Sequence, residues 1–265
     1  MIAAVFQGPA EDFLPELADA AARARGGGAG LLICSEMATT GYNIGESIED
    51  LAEQADGPTA RRIAEICREH RIAIAYGYPE RGLGTVYNSV QLIDADGRIR
   101  ANYRKTHLFG DLDKTHFSAG DRTVVQAEIG GLTVGLLICY DVEFPEMVRA
   151  HALAGTELLA VPTALMRPYE MVADVVVPTR AYESQLFLAY VNRCDTEGEL
   201  TYCGRSVVMA PDGTELARAG GAAELLLATV DPDRLAASRR VNTYLADRRP
   251  ELYGRPELPG KKAQA

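Results

Sequence analysis

The sequence predicts an α/β protein, a four-layer α-β-β-α sandwich built from two pseudo-repeated halves, and three observations carry that reading. Short apolar runs alternate with amphipathic helical segments, the pattern of sheets covered by helices. The same order of elements occurs twice along the chain. An Asp-Gly pair falls late in each half, and such pairs supply the positive φ angles that tight hairpins need.

Taken in order, the first half reads as strand Ile2–Gln7, a helix over about residues 13–25, strand Leu31–Cys34, a helix over about 58–70, strand Ile72–Gly77, and a hairpin turning at Asp96-Gly97. Gly26-Gly-Gly-Ala-Gly30 stops the first helix and turns the chain; it lacks the Gly-Lys-Ser/Thr ending of a phosphate loop. The second half reads as strand Val134–Cys139, a helix over about 145–154, strand Leu158–Val161, a helix over about 172–184, strand Phe187–Val191, and a hairpin turning at Asp212-Gly213. Short strings match as well. Gly30-Leu-Leu-Ile-Cys-Ser-Glu36 parallels Glu157-Leu-Leu-Ala-Val-Pro-Thr163, and the segment from Ser89 to Gly97 parallels that from Ser206 to Gly213. Two halves that each have a sheet face to bury are expected to pack sheet against sheet. No linker interrupts them, so residues 1–234 read as one domain and Leu235–Ala265, rich in Arg, Pro and Lys, as a C-terminal extension.

Composition narrows the functions. Of 265 residues 47% are hydrophobic, an ordinary share for a globular chain with ample core. A net charge of -10 disfavours nucleic acid or an anionic membrane surface as main partner and leaves a small molecule as the better candidate. No apolar stretch approaches the roughly 18 residues of a membrane span, and Met1–Phe6 does not open like a signal peptide, so a cytoplasmic protein is expected. Cys34, Cys67, Cys139, Cys194 and Cys203 are odd in number and irregularly spaced, which fits free thiols in a reducing compartment. Cys194 and Cys203 bracket what reads as a hairpin loop with no His at ligand spacing, so no metal site is expected there.

The chemistry is expected at Cys139, which closes the apolar run Val134-Gly-Leu-Leu-Ile-Cys139 where a strand runs out into a turn and helix. Strand ends of this kind open into the ligand crevice of an α/β sheet. Glu36 and Lys105 hold comparable places after their own strands. A thiol needs a base to become a thiolate, and an amide needs its oxyanion stabilised and its leaving nitrogen protonated; Glu, Lys and Cys cover those tasks. Singly, each residue has a plainer reading: Cys139 as a small core residue, Glu36 as a cap, Lys105 as a solvated charge.

Their flanking residues tip the balance. Ser35-Glu36 followed by Gly41-Tyr-Asn43, Tyr103-Arg-Lys-Thr-His-Leu108, and Cys139-Tyr-Asp-Val-Glu-Phe-Pro-Glu146 resemble the nitrilase, or carbon–nitrogen hydrolase, superfamily over nearly the whole chain. Gly41-Tyr-Asn-Ile-Gly45, Tyr76–Gly82, Tyr87–Asp94 and Lys105–Gly110 further resemble bacterial aliphatic amidases that include 5-aminopentanamidase. The resemblance implies a Glu–Lys–Cys triad on the four-layer sandwich, no metal or organic cofactor, and assembly into homodimers or larger homo-oligomers. Glu36 would act as general base, Lys105 as electrostatic stabiliser and Cys139 as nucleophile, with the Tyr140 backbone N–H as a second oxyanion donor.

The family often carries a second glutamate after the lysine; here the aligned position is Asp113, one methylene shorter, with Asp111 as the alternative. Family omega-amidases carry arginine where this chain has Glu143, which suits a substrate carboxylate, whereas glutamate suits an ammonium. The expected substrate is therefore a small linear amide with an amine at its other end, such as 5-aminopentanamide. Tyr42 and Thr163 are further candidates for the pocket wall. An N-carbamoyl amine hydrolase, an omega-amidase or a true nitrilase would use the same triad. A Cys–His hydrolase through His107 and a non-catalytic binding module are readings of other classes.

Overall fold

In the computed structural model, which describes residues 1–253, the first half forms β1 (Ile2–Gln7), α1 (Phe13–Gly26), β2 (Ala29–Ile33), α2 (Ser47–Leu51), α3 (Pro58–His70), β3 (Ala73–Arg81), β4 (Val86–Ile93) and β5 (Ile99–Arg104). After α4 (Gly110–His116), the second half forms β6 (Gln126–Ile129), β7 (Leu132–Leu136), α5 (Pro145–Leu153), β8 (Leu158–Pro162), α6 (Val177–Ser184) and β9 (Phe187–Val191). It continues through a short hairpin, β10 (Thr196–Glu197) and β11 (Leu200–Thr201), into β12 (Val207–Met209) and β13 (Glu215–Arg218). β14 (Glu224–Thr229) and α7 (Pro232–Val241) follow.

The two halves share one plan. One sheet runs β14-β1-β2-β3-β4-β5 and the other β6-β7-β8-β9-β12-β13. In each, an antiparallel edge strand is followed by three parallel strands and then two antiparallel hairpin strands. Strand alternation sorts the layers. In the first sheet Ala3, Val5, Leu31, Ile33, Ala73 and Ala75 point into a core shared with the second sheet. Their neighbours Ala4, Phe6, Leu32, Ile74 and Tyr76 point outward, onto α1 and α3. Burying a leucine such as Leu31 contributes about 1.5–3 kcal/mol.

Local chemistry agrees with this packing. α1 buries Leu17, Ala20, Ala21 and Ala24 on one stripe, with Glu16 in its first turn and Arg23 and Arg25 in its last, matching the helix dipole. α3 begins at Pro58, where a missing N–H costs nothing, and ends at Arg71 in the left-handed region with φ 52.

Some expectations shift. The strand predicted over Val134–Cys139 ends at Leu136, because Cys139 adopts φ 46 and opens a 3-10 turn, Cys139–Glu143. The helix expected over 172–184 is split into a π-helical turn, Val172–Val176, and α6, since Pro178 has no N–H to give to the preceding turn. The boundary drawn at 234/235 falls inside α7, where Leu235 joins the inter-sheet core and Ser238 Oγ donates to Gln185 Oε1 at 2.8 Å. Residues 254–265 of the proposed extension lie outside the described residues. Among the described residues no helix is long and apolar enough to cross a membrane.

Candidate active site

The three sequence candidates come together at one end of the sandwich, each supplied by the chain just beyond a strand. Glu36 follows β2, Lys105 follows β5 and Cys139 follows β7. Thr163 follows β8, the repeat counterpart of β2, and the Glu36 N–H donates to the Thr163 carbonyl at 3.3 Å, so the halves meet at matching points. Gly77 on β3 makes room for this turn. Its N–H donates to the Ser35 carbonyl, and a Cβ there would lie 2.5 Å from the Met37 nitrogen and 2.7 Å from Glu36 Cα.

The lysine is held between two carboxylates. Lys105 Nζ lies 2.8 Å from Glu36 Oε1 and 2.7 Å from Asp113 Oδ2, and all three side chains are wholly buried. Asp113, at the start of α4, also accepts from the Tyr42 hydroxyl at 2.9 Å and from the Phe109 N–H at 2.8 Å. The aspartate thus reaches Lys105 although it is shorter than glutamate, whereas Asp111 is exposed. Lys105 is fixed from both sides, its N–H donating to the Asn88 carbonyl and its own carbonyl accepting from Gly120 N–H, each at 2.8 Å.

Asn88 is a contributor the sequence reading missed. Fully buried, it donates Nδ2 to Glu36 Oε1 at 2.7 Å. Glu36 Oε1 therefore serves Lys105 and Asn88, while Glu36 Oε2, also buried, has no partner among the described residues. Burial pushes the Glu36 carboxyl above the usual carboxylate range, with Asp113 adding to the rise and Lys105 opposing it. Burial is the larger effect, which is why the shift survives the ion pair. Burial works against the charge on Lys105, but Glu36, Tyr42, Asp113 and Cys139 outweigh it and hold its pKa well above normal.

Cys139 is one of the few non-glycine residues with positive φ, a strained backbone of the kind that persists where packing imposes it. Burial pushes its thiol up and Glu36 pushes it further; Lys105, the Thr163 side chain and the Ala164 backbone pull it down. These influences together favour the thiol over the thiolate, and a buried carboxylate with a raised pKa is a suitable acceptor for its proton. The Thr163 hydroxyl also donates to the Tyr190 hydroxyl at 2.9 Å.

Beyond the thiol the wall is aromatic. The Tyr140 ring meets Phe109 and Phe144 edge-on, with centroids 5.4 and 5.0 Å away, and Phe109 meets Tyr169 at 5.9 Å. Glu143 is half-buried, and burial raises its carboxyl while Arg180 and Lys105 lower it. Arg180 spends its guanidinium on Glu183 and on the Val142 and Glu143 carbonyls. His107 Nδ1 lies 2.8 Å from Asp141, and its ring stacks on Phe144 at 3.8 Å.

Two six-stranded sheets packed face to face, with a thiol, a carboxylate and an ammonium gathered at their strand ends, define a hydrolase that works by acyl transfer. Comparison with known proteins narrows the class. The chain belongs to the carbon-nitrogen hydrolase family, whose model matches residues 2–240, and it is an enzyme of the amidase kind within the nitrilase superfamily. It is 53% identical over 227 residues to the "Hydrolase in pqqF 5'region" of Pseudomonas protegens, covering 85% of this chain and 80% of that one. It is 37% identical over 227 residues to an (R)-stereoselective amidase of Pseudomonas sp., covering 84% and 81%. An amidase from Nesterenkonia sp. AN1 superposes with a TM-score of 0.85 at 34% identity, covering 95% of both chains. In that glutamate-to-glutamine variant the acetamide moiety of fluoroacetamide is added covalently at the active-site cysteine.

Proposed function

We propose that the protein hydrolyses a small linear aliphatic amide bearing a positive amine, 5-aminopentanamide being the model substrate, to the carboxylic acid and ammonia. The observation that carries this reading is the divided Glu36 carboxylate: one oxygen is committed to Lys105 and Asn88, the other is buried without a partner among the described residues, and the carboxylate is near enough to Cys139 to push its thiol up. Glu36 Oε2 takes the Cys139 proton as sulfur bonds to the amide carbon. Lys105 Nζ, with the Tyr140 N–H, holds the oxyanion. Collapse breaks the C–N bond, and the proton on Glu36 leaves with ammonia. Glu36 then takes a proton from water, whose oxygen attacks the thioester; the thiolate departs and recovers the proton, so one water is consumed per amide. Asp113 and Tyr42 fix the lysine. The low-dielectric setting favours this route because Glu36, raised above the usual range, is a stronger base than a solvated carboxylate.

Glu143 supports the cationic tail. Burial penalises its charge, Arg180 offsets that only in part because its guanidinium bonds go to Glu183 and to the Val142 and Glu143 carbonyls, and a substrate ammonium would offset it further. The test is ammonia release from a panel of 5-aminopentanamide, glutaramate, a neutral aliphatic amide, a nitrile and N-carbamoylputrescine, with Cys139→Ala as control. Preference for the cationic amide, lost in Cys139→Ala and reduced in Glu143→Arg, is expected. An unchanged order of preference in Glu143→Arg removes Glu143 from specificity, and turnover of another member reassigns the substrate.

Homodimers or larger assemblies belong to the same proposal. Exposed Leu153, Tyr244, Leu252 and Tyr253 line a groove of about 1130 Å³ between α5 and the C-terminal segment, an apolar patch rimmed by charged residues such as Glu146, Arg149 and Arg248 and suited to a second copy. Mass in solution, native against Leu153→Glu, tests it.

A further inference from the structure

The loop that carries Lys105 and the turn that carries Cys139 come from different halves of the fold, and one side chain ties them together. Asp141, two residues past the nucleophile, is wholly buried. Its Oδ1 accepts from Thr106 Oγ1 at 2.8 Å and from the His107 N–H at 2.9 Å, and lies 2.8 Å from His107 Nδ1. Its Oδ2 accepts from the Tyr103 hydroxyl at 2.9 Å and from the Ile138 N–H at 3.3 Å. Tyr103, Thr106 and His107 flank Lys105 on both sides, and Ile138 directly precedes Cys139.

We infer that Asp141 is a positioning residue that sets the separation between the Lys105 ammonium and the Cys139 thiol, one carboxylate oxygen gripping the lysine loop and the other bridging from Tyr103 to the nucleophile turn. A carboxylate suits this task because it only accepts, and all its neighbours here donate or can donate. A neutral amide of the same shape has one oxygen for the two groups of donors and would set its NH2 against the other. Reacting groups lose rate steeply when displaced: an error of about 1 Å costs on the order of 10²-fold.

The inference rests on the assignment of Cys139 and Lys105 proposed above, so the experiment separates the two. In Asp141→Asn, kcat should fall ~10²-fold with KM changed less than ~3-fold. The pH profile of Cys139 alkylation by iodoacetamide should move to higher pH, because the thiolate has lost its nearby ammonium; Cys139→Ala supplies the background from the other thiols. Tyr103→Phe and Thr106→Val each remove a single donor and should give losses of ~10-fold with the same shift in smaller measure, which keeps the test available if Asp141→Asn does not fold. A folded Asp141→Asn, or failing that the Tyr103→Phe, Thr106→Val double variant, with kcat within ~3-fold of native and an unmoved alkylation profile overturns the role. Cys139→Ala that still hydrolyses amides overturns the underlying assignment instead.

Discussion

At the scale of single residues, the site depends on side chains whose solvation has been replaced by fixed partners. Lys105 illustrates the stakes. Lys105→Ala leaves two buried carboxylates without their cation and, on the proposed mechanism, removes an oxyanion donor, so kcat should fall by about 10²–10³ while the thermal midpoint also drops; steady-state kinetics with calorimetry would separate the two effects. Gly77→Ala touches no reacting group, yet its new Cβ would press on the Glu36 turn. Its expected signature is kcat lowered on the order of 10²-fold on the folded fraction, and native-like turnover would mean the turn can yield without moving the base. The residues legible in the sequence were those with a motif around them: Glu36 after Leu31–Cys34, Lys105 before Thr-His-Leu, Cys139 before Tyr-Asp. Asn88 was not legible, because its partner Glu36 is 52 residues away and only the pairing of β3 with β4 delivers it. Asp113 could be aligned but not placed, since the choice over Asp111 depends on how α4 turns.

At the scale of elements, the two Asp-Gly hairpins and helices α1, α3, α5 and α6 were readable, while α2, α4, α7 and the edge strands β6 and β14 were not. The Asp-Gly turns form the β4–β5 and β12–β13 hairpins, and Gly26–Gly30 ends α1 as its composition implies. Of the edge strands that escaped, β6 has only four residues and β14 exposes alternate ones, and their strand character comes from pairing with β7 and β1. A testable property of one element is the histidine sealed under α5. His151 is wholly buried, with Nδ1 2.9 Å from Thr156 Oγ1, and burial depresses its pKa from 6.5 to about 4. The unfolded chain therefore binds the proton more readily. The stability tied to neutral His151 is fully present above pH 6.5 and is lost as pH falls toward 4, a total of roughly 3 kcal/mol. The denaturant midpoint should fall as pH drops through that range, and His151→Asn should flatten that dependence on pH whatever its effect at neutral pH.

At the scale of the whole molecule, a net charge of -10 surrounds a site with one engaged lysine and a half-buried Glu143. Such a field draws cations and is screened within about 8 Å at physiological salt. For a cationic amide kcat/KM should fall as salt rises, whereas for a neutral amide of equal length it should hold nearly constant; equal salt slopes would show that steering plays no part. The two-sheet plan itself was the most legible feature of all, because the order of elements repeats in the sequence and equal orders fold to equal topologies.

The backbone bond from Glu36 to Thr163 joins equivalent points of the two repeats, and it has a consequence for how the molecule can be divided. Glu36 and Lys105 travel on one repeat and Cys139 on the other, so the proposed reactive centre is owned by neither. Cutting the chain in the exposed connection Asp121–Thr123 would yield two chemically incomplete fragments, the second of which keeps β14, the strand that closes the first sheet beside β1. Mixed together they would recover turnover only by recreating the seam between them, which turns hydrolysis into a direct report of fragment reassembly.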